Sequence, residues 1–331
     1  MQGMKVIVIG MGSMGRRRTE LLVKNYTQIK VSAVESDEGR RKRAEEEYHI
    51  KVYADLETAL TEESPDAAFV CTSPESHGNI IMECAVRGLH IFSEINLLPN
   101  RYDEILKESR MSGKTLYLSS TQLYRKEIEL IQKLVTQHQN KLNYHYHVGQ
   151  YLPDWHPWDQ KREFFAWSSK TNGCREILAI ELPWILKTFG AVKEIMVWKD
   201  HLSSLPVDYP DNYMIVMLHE NGSKGVLLTD IVSRKAIRAL TVYSEDLLIQ
   251  WRGTPDSLVT FNLQNQRMER VDTYLNAETK PGYAEFIIEN AYLEEIEAFL
   301  RKMEGDSSLE RYTFEEDAET LKLINRIEGL I

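Results

Sequence analysis

Three glycines carry the clearest chemistry in this chain. Gly10-x-Gly12-x-x-Gly15 follows four apolar residues, Val6 to Ile9, and opens a helix-like segment running from about Ser13 through Leu22. A strand, a glycine turn and a helix in that order suit a dinucleotide. The first glycine permits a tight turn, the second lets the backbone approach a pyrophosphate, and the third lets helix and strand pack closely, with helix N–H groups aimed at the phosphates. A glycine triplet alone recurs by chance, and a ligand-free βα turn is the plain alternative. Glu35 follows 20 residues after Gly15, at the end of the strand Lys30–Val34. That spacing suits the acid that accepts from ribose hydroxyls. A carboxylate there repels a 2′-phosphate, so NAD is expected over NADP, although Arg40 and Arg41 weigh the other way. The alternative for Glu35 is a strand cap.

The second half holds the residues able to move a proton or grip a substrate. Glu181 lies in a largely apolar run from Ile177 to Ile185, where burial could raise its pKa and make it a base. Its alternative is an ion pair with Arg175 or Lys187. His156 titrates near neutrality and is the other candidate base, or a loop histidine packed between Trp155 and Pro157. The Tyr151–Trp167 segment sets Trp155, Trp158 and Trp167 among Asp154, Asp159, Lys161 and Arg162. Aromatic faces with interspersed charges suit a sugar; tryptophan and arginine are also enriched at subunit contacts. Tyr151, Trp155 and Trp158 are therefore candidate substrate contacts. Arg175-Glu176 could take a substrate carboxylate or phosphate through the guanidinium fork, or form an internal ion pair. His145-x-His147 falls on one face of a strand with no evident third ligand, so no metal is expected.

The elements that must position these residues fall into two patterns. Through Thr121, strands alternate with helices: Lys51–Tyr53, Ala67–Cys71, His90–Ser93 and Thr115–Ser119 are strands, and helices run from Asp37, Asp55, Asn79 and Tyr102. This predicts a doubly wound parallel sheet over residues 1–121, with Gly10, Glu35, Thr72 and Glu94 at the strand ends where such sheets bind ligands. Residues 122–331 read as an α+β domain on one large, mostly antiparallel open sheet. Two closing helices, about Tyr283–Met303 and Glu315–Gly329, are free to pack back on the first domain.

Composition narrows the classes further. The 331 residues are 43% hydrophobic and 27% charged, with a net charge of −10, which fits a folded soluble protein and argues against nucleic acid or anionic membrane as partners. Three cysteines without CxxC spacing read as reduced thiols. No signal peptide or membrane span is visible, so a cytoplasmic protein is expected.

The order of glycine loop, Thr72-to-His77 segment, Glu94 strand end and sheet domain resembles the Gfo/Idh/MocA oxidoreductases. The resemblance covers nearly the whole chain, well in the first half and loosely in the second. It implies NAD(P)-dependent hydride transfer on a sugar, inositol or related polyol, and a homodimer or homotetramer formed through the open face of the second domain's sheet. The family's phosphate loop matches Gly10, Met11, Gly12, Ser13, Met14 and Gly15, and its ribose acid matches Glu35. Its Thr/Ser-x-Pro segment and following histidine match Thr72, Ser73, Pro74 and His77, which in the family lie along the cofactor. The family's Glu-Lys-Pro motif matches Glu94, Ile95 and Asn96, so the glutamate is kept and the lysine is not. A second-domain helix motif matches Asn172 to Trp184, with Glu181 in the histidine slot and Ile177 and Trp184 in the aspartate slots. The cofactor loop is thus intact while the usual lysine and histidine are replaced. The alternative to an enzyme is a non-catalytic NAD-binding sensor or partner protein.

Overall fold

A computed structural model describes residues 3–155, 164–280 and 284–331. The chain divides into two compact units, Met1–Ser120 with Tyr292–Glu319, and Thr121–Ala291 with Thr320–Ile331.

In the first unit the strands are β1 (Lys5–Ile9), β2 (Lys30–Val34), β3 (Lys51–Tyr53), β4 (Ala67–Val70), β5 (His90–Ser93) and β6 (Leu116–Leu118). They form one parallel sheet in the order β3-β2-β1-β4-β5-β6. This is the doubly wound order, whose ligand crevice lies at the carboxyl ends of the strands beside β1. The strands are near-continuous apolar runs because both faces are covered. The connecting helices are α1 (Ser13–Asn25), α2 (Glu38–Tyr48), α3 (Leu56–Glu63), α4 (Pro74–Ala85) and α5 (Tyr102–Ser112). Asp37 and Asp55 cap α2 and α3, accepting from the N–H groups of Arg40 and Thr58. Helix α4 begins at Pro74 rather than Asn79, because Pro74 has no N–H to satisfy and its fixed φ starts a helix. Phe69 of β4 and Phe92 of β5 stack at 4.6 Å, and Phe299 of a C-terminal helix, α8 (Glu289–Met303), meets both edge-on. These rings account for residues 292–319 belonging to the first unit.

The second unit is built on an eight-stranded sheet. Its strands are β7 (Asn143–Gly149), β8 (Val192–Asp200), β9 (Asn212–His219), β10 (Lys224–Asp230), β11 (Ile237–Tyr243), β12 (Leu248–Trp251), β13 (Val259–Asn262) and β14 (Arg267–Arg270). The order is β14-β13-β12-β11-β7-β10-β9-β8, and every pairing is antiparallel except β7 with β10. Strand alternation sorts the faces. Tyr144, Tyr146 and Val148 are buried, whereas His145 and His147 look outward. Helix α7 (Gly173–Phe189) packs on β9 and β10, with α6 (Lys126–Gln137) beside it. The last helix is α9 (Phe314–Glu328). Among the described residues, no helix is long and apolar enough to cross a membrane.

Candidate active site

The glycine loop of the first unit shows why each glycine is there. Gly10 has a φ of 91°, and a Cβ on it would lie 2.9 Å from Thr72 Cγ2 and 3.0 Å from the Cys71 carbonyl oxygen. At Gly15 a Cβ would lie 1.8 Å from the Gly10 carbonyl oxygen, so α1 approaches β1 only through a glycine. At Gly12 a Cβ would meet nothing within 4 Å. The outer glycines are demanded by the chain itself; the middle one borders open space. Helix α1 starts there with no side-chain cap and no acid in its first turn, which leaves its N-terminal N–H groups for an anion. Ser13 and Met14 are partly exposed at that turn, whereas the Met11 side chain is buried and offers only backbone. This cradle fits the pyrophosphate of a dinucleotide.

Glu35 joins the loop to β2. Its Oε2 accepts from the Met11 N–H at 2.9 Å, and its Oε1 accepts from the Asp37 N–H at 2.9 Å and from Arg40 at 3.2 Å. Capping the strand and presenting an acid to a ribose are therefore compatible roles. Arg41 is turned to the carbonyl oxygens of Glu35 and Ser36, at 2.9 and 2.6 Å.

At the next strand ends the polar groups are tied to one another. Thr72 Oγ1 bonds Ser76 Oγ at 2.7 Å, Ser73 accepts from the Ser76 hydroxyl, and Pro74 opens α4. His77 is buried, with Nε2 2.9 Å from the Thr72 carbonyl oxygen and Nδ1 2.8 Å from Asn96 Oδ1. Burial holds its pKa below the ordinary imidazole value, against the opposing pull of Asn96, Thr72 and Glu94. Asn96 stands where the resemblance implied a proline, and its amide fixes His77. Glu94 is gripped by Arg18, whose Nε donates to it at 2.6 Å while Nη2 donates to Glu295 at 2.6 Å and to Ser119 at 3.2 Å. Burial alone would lower the Arg18 pKa; Glu94 and Glu295 outweigh it and hold the guanidinium charged.

In the second unit, Glu181 is hydrogen-bonded on both carboxylate oxygens. Its Oε1 accepts from Arg238 Nε at 3.1 Å and Nη2 at 2.7 Å, and its Oε2 accepts from the Tyr146 hydroxyl at 2.9 Å and Trp184 Nε1 at 2.7 Å. Four donors fix a buried carboxylate in place. Its ion-pair partner is Arg238, not Arg175 or Lys187. Arg238 lies over the Phe286 ring at 4.6 Å, with the Gln122 side-chain amide 3.2 Å from Nη2 and able to turn its oxygen to it. Neither Arg238 nor Gln122 stood out in the sequence. The available signal was Arg238 two residues before Leu240 and four before Val242, on the covered face of β11.

Arg175 makes an internal ion pair, the alternative to a substrate contact: its guanidinium is buried against Glu328 and Asn325 of α9, with Nη2 2.8 Å from Asn325 Oδ1. Its neighbour differs. Glu176 stands in the first turn of α7, and its Oε2 is buried with no hydrogen-bond partner among the described residues. Burial alone pushes its pKa up to about 8. Asn172 caps this helix, accepting from the Arg175 N–H at 2.7 Å. Trp155 is hydrogen-bonded through Nε1 to the Gln150 carbonyl at 3.1 Å, and its ring comes within 3.4 Å of where a Cβ on Gly173 would stand. Tyr151 lies under the Arg234 guanidinium at 4.2 Å. His156 and Trp158 lie outside the described residues. His147, one of the two outward histidines, pairs with Asp230 at 2.7 Å, and no metal-binding cluster occurs among the described residues.

These features match known proteins. An oxidoreductase family with an NAD-binding Rossmann fold, Gfo/Idh/MocA, matches residues 4–118. The myo-inositol 2-dehydrogenase of Thermotoga maritima is 24% identical over 135 residues, a stretch that spans 40% of this chain and 40% of that enzyme. An oxidoreductase from Agrobacterium radiobacter, solved with NAD+, L-tartaric acid and magnesium, superposes with a TM-score of 0.82 at 11% identity, covering 98% of this chain and 96% of that one. The WlbA dehydrogenase from Bordetella pertussis, solved with NADH and UDP-GlcNAcA, gives a TM-score of 0.76 at 13% identity, covering 99% and 97%. The sheet order and the glycine cradle agree with that match: residues 4–118 are similar to the NAD-binding Rossmann domain of the Gfo/Idh/MocA oxidoreductases, and the whole chain shares the fold of those solved structures.

Proposed function

We propose that this protein is an NAD-dependent oxidoreductase that moves hydride between nicotinamide and a carbinol or carbonyl of a sugar or sugar derivative. The observation that carries the reading is the Gly10–Gly15 cradle, open at Gly12 and closed on one side by Glu35. Bound nicotinamide supplies the hydride chemistry; the protein orients the carbinol and handles its proton. Gly12, Ser13 and the first turn of α1 would hold the pyrophosphate, and Glu35 the ribose. The reading favours NAD over NADP because the buried Glu35 carboxylate would repel a 2′-phosphate and Arg41 is turned to backbone carbonyls, with Arg40, paired to Glu35, weighing the other way. Sugar chemistry is supported by Trp155 near the start of α7, by the Tyr151 ring four residues before it, and by the dehydrogenase relatives. Three buried, unpaired cysteines suit a reducing, cytoplasmic setting.

A homodimer or homotetramer through the open sheet face belongs to the same reading. One outward row runs Trp198, Met214, Leu228 across β8, β9 and β10, and the next runs Met196, Val216, Val226. Trp198 and Met196 are 54% and 59% exposed, which is costly for an unpartnered face.

A non-catalytic NAD sensor is the second reading, favoured by one observation: Glu181, in the slot of the family's histidine, is saturated by donors. Purified protein incubated with NAD and a panel of sugars, polyols and sugar acids separates the two. Growth of the reduced-cofactor absorbance with any member supports the enzyme. Tight NAD binding with no turnover in either direction, for any member, supports the sensor.

A further inference from the structure

We propose that Arg40 sets how well the cofactor site admits a phosphate on the 2′ position of the adenosine ribose, and that through it the protein binds NADP as a second, weaker cofactor beside NAD. The inference rests on the reading that a dinucleotide lies in the Gly10–Gly15 cradle. All of its parts lie in the first unit, at the carboxyl end of β2 and the first turn of α2.

An acid at this place ordinarily accepts from ribose hydroxyls and turns a 2′-phosphate away. Here both oxygens of Glu35 already have a backbone donor. Oε2 accepts from the Met11 N–H at 2.9 Å, and Oε1 accepts from the Asp37 N–H at 2.9 Å. The carboxylate is buried, and it cannot swing clear of a ligand without breaking the tie between the glycine loop and β2. Its charge does not stand alone, because Arg40 Nη2 lies 3.2 Å from Oε1 and offsets the repulsion it would exert on a phosphate.

Four basic residues follow one another here, and three are committed elsewhere. Arg41 Nη1 donates to the Glu35 and Ser36 carbonyl oxygens at 2.9 and 2.6 Å. Lys42 pairs with Glu38 at 2.6 Å, and Arg43 Nε donates to the Gly39 carbonyl oxygen at 3.3 Å. Of the four, Arg40 is the one whose side chain reaches the Glu35 carboxylate. Its backbone is fixed in the cap of α2, with its N–H donating to Asp37 Oδ1 at 2.7 Å. Its side chain is 46% exposed, and apart from Nη2 its guanidinium has no hydrogen-bond partner among the described residues.

A fixed Cα with a long, half-exposed side chain lets the guanidinium pivot from Glu35 to an incoming phosphate. An ion pair this exposed is weak, whereas a guanidinium fork on a phosphate makes charge-assisted, bidentate bonds. Ser36 is exposed beside it, with its hydroxyl 3.5 Å from Glu35 Oε1, and supplies a second donor. The Glu35 charge, uncovered when Arg40 turns away, keeps NAD the better ligand.

Calorimetric titration of the full chain with NAD and with NADP tests this in wild type, Arg40→Gln, Arg40→Lys and Arg41→Gln. The wild type should bind both, NAD more tightly. The ratio of NADP to NAD affinity should fall at least about tenfold in Arg40→Gln, which loses a charge-assisted contact, and be partly restored in Arg40→Lys. It should move less than about twofold in Arg41→Gln, whose guanidinium makes no such contact. An unchanged ratio in Arg40→Gln, a fall as large in Arg41→Gln, or a wild type that binds NAD and not NADP overturns the proposal and leaves the dinucleotide reading intact. A wild type that binds neither cofactor overturns that reading, and the proposal with it.

Discussion

Replacing Glu176 by glutamine should make the protein more stable, and increasingly so as pH rises. The carboxyl has an ordinary value of 4.5 and sits at about 8 when folded, through burial alone. Below 4.5 both folded and unfolded chains carry the proton. Between 4.5 and about 8 the folded chain holds a proton that the unfolded chain has released, so unfolding is favoured by rising pH. At about 1.4 kcal/mol per pH unit, that interval sums to a ceiling of about 5 kcal/mol, lost progressively until the folded group itself ionises. Glutamine keeps the shape and cannot ionise, so the variant escapes the loss. Urea unfolding of both proteins at about pH 5, 7 and 9 measures the effect. The two should be nearly equal at the lowest pH and differ by at least about 2 kcal/mol, in favour of Glu176→Gln, at the highest. A difference that stays constant with pH, or that grows in favour of the wild type, refutes the assignment of a buried carboxyl oxygen without a donor at this position.

The other expectations concern the cradle, the buried charges and the sheet face. Gly12→Val should leave the melting temperature nearly unchanged, since a Cβ there meets nothing within 4 Å, but should abolish NAD binding by calorimetry; Gly15→Ala should unfold the N-terminal unit, because its Cβ would stand 1.8 Å from the Gly10 carbonyl oxygen. Arg18→Met leaves Glu94 and Glu295 buried without their cation and should cost about 3–5 kcal/mol in urea unfolding. Glu35→Ser should narrow the preference for NAD over NADP at least tenfold in titrations, by removing the carboxylate that repels a 2′-phosphate. On the proposed homo-oligomer reading, Trp198→Asp, on the outward row of β8, should give a smaller assembly than the wild type by light scattering while leaving NAD affinity unchanged.

Much of the first unit was legible because its signals are local. Val6–Ile9 and Ala67–Val70 are apolar runs, the glycines mark a turn, and Asp37 and Asp55 announce the helices they cap. The start of α4 was misplaced because the amphipathic pattern begins at Asn79, whereas the helix is set by Pro74. Strand β14 carries no sequence signal for the opposite reason: Arg267-Met268-Glu269-Arg270 is exposed throughout, has no buried alternation, and is a strand only by pairing with β13. The site residues divided along the same line. A glycine loop and an acid 20 residues later can be read from spacing. Charge partners cannot, because Glu181 meets Arg238 57 positions away, Arg175 meets Glu328 153 away, and Arg18 meets Glu295 277 away. Which carboxylate is satisfied and which is left bare depends on those long-range pairs, so Glu181 drew attention in the sequence and Glu176 draws it in the structure.

The central claim is that this chain binds NAD and moves hydride. Its most direct test is transfer of deuterium from a carbon-deuterated sugar or polyol panel to NAD, followed by mass spectrometry of the recovered cofactor. The account predicts reduced cofactor carrying one deuterium with at least one panel member, and none with Gly12→Val. NAD that binds the wild type and is recovered unlabelled and oxidised from every member contradicts it.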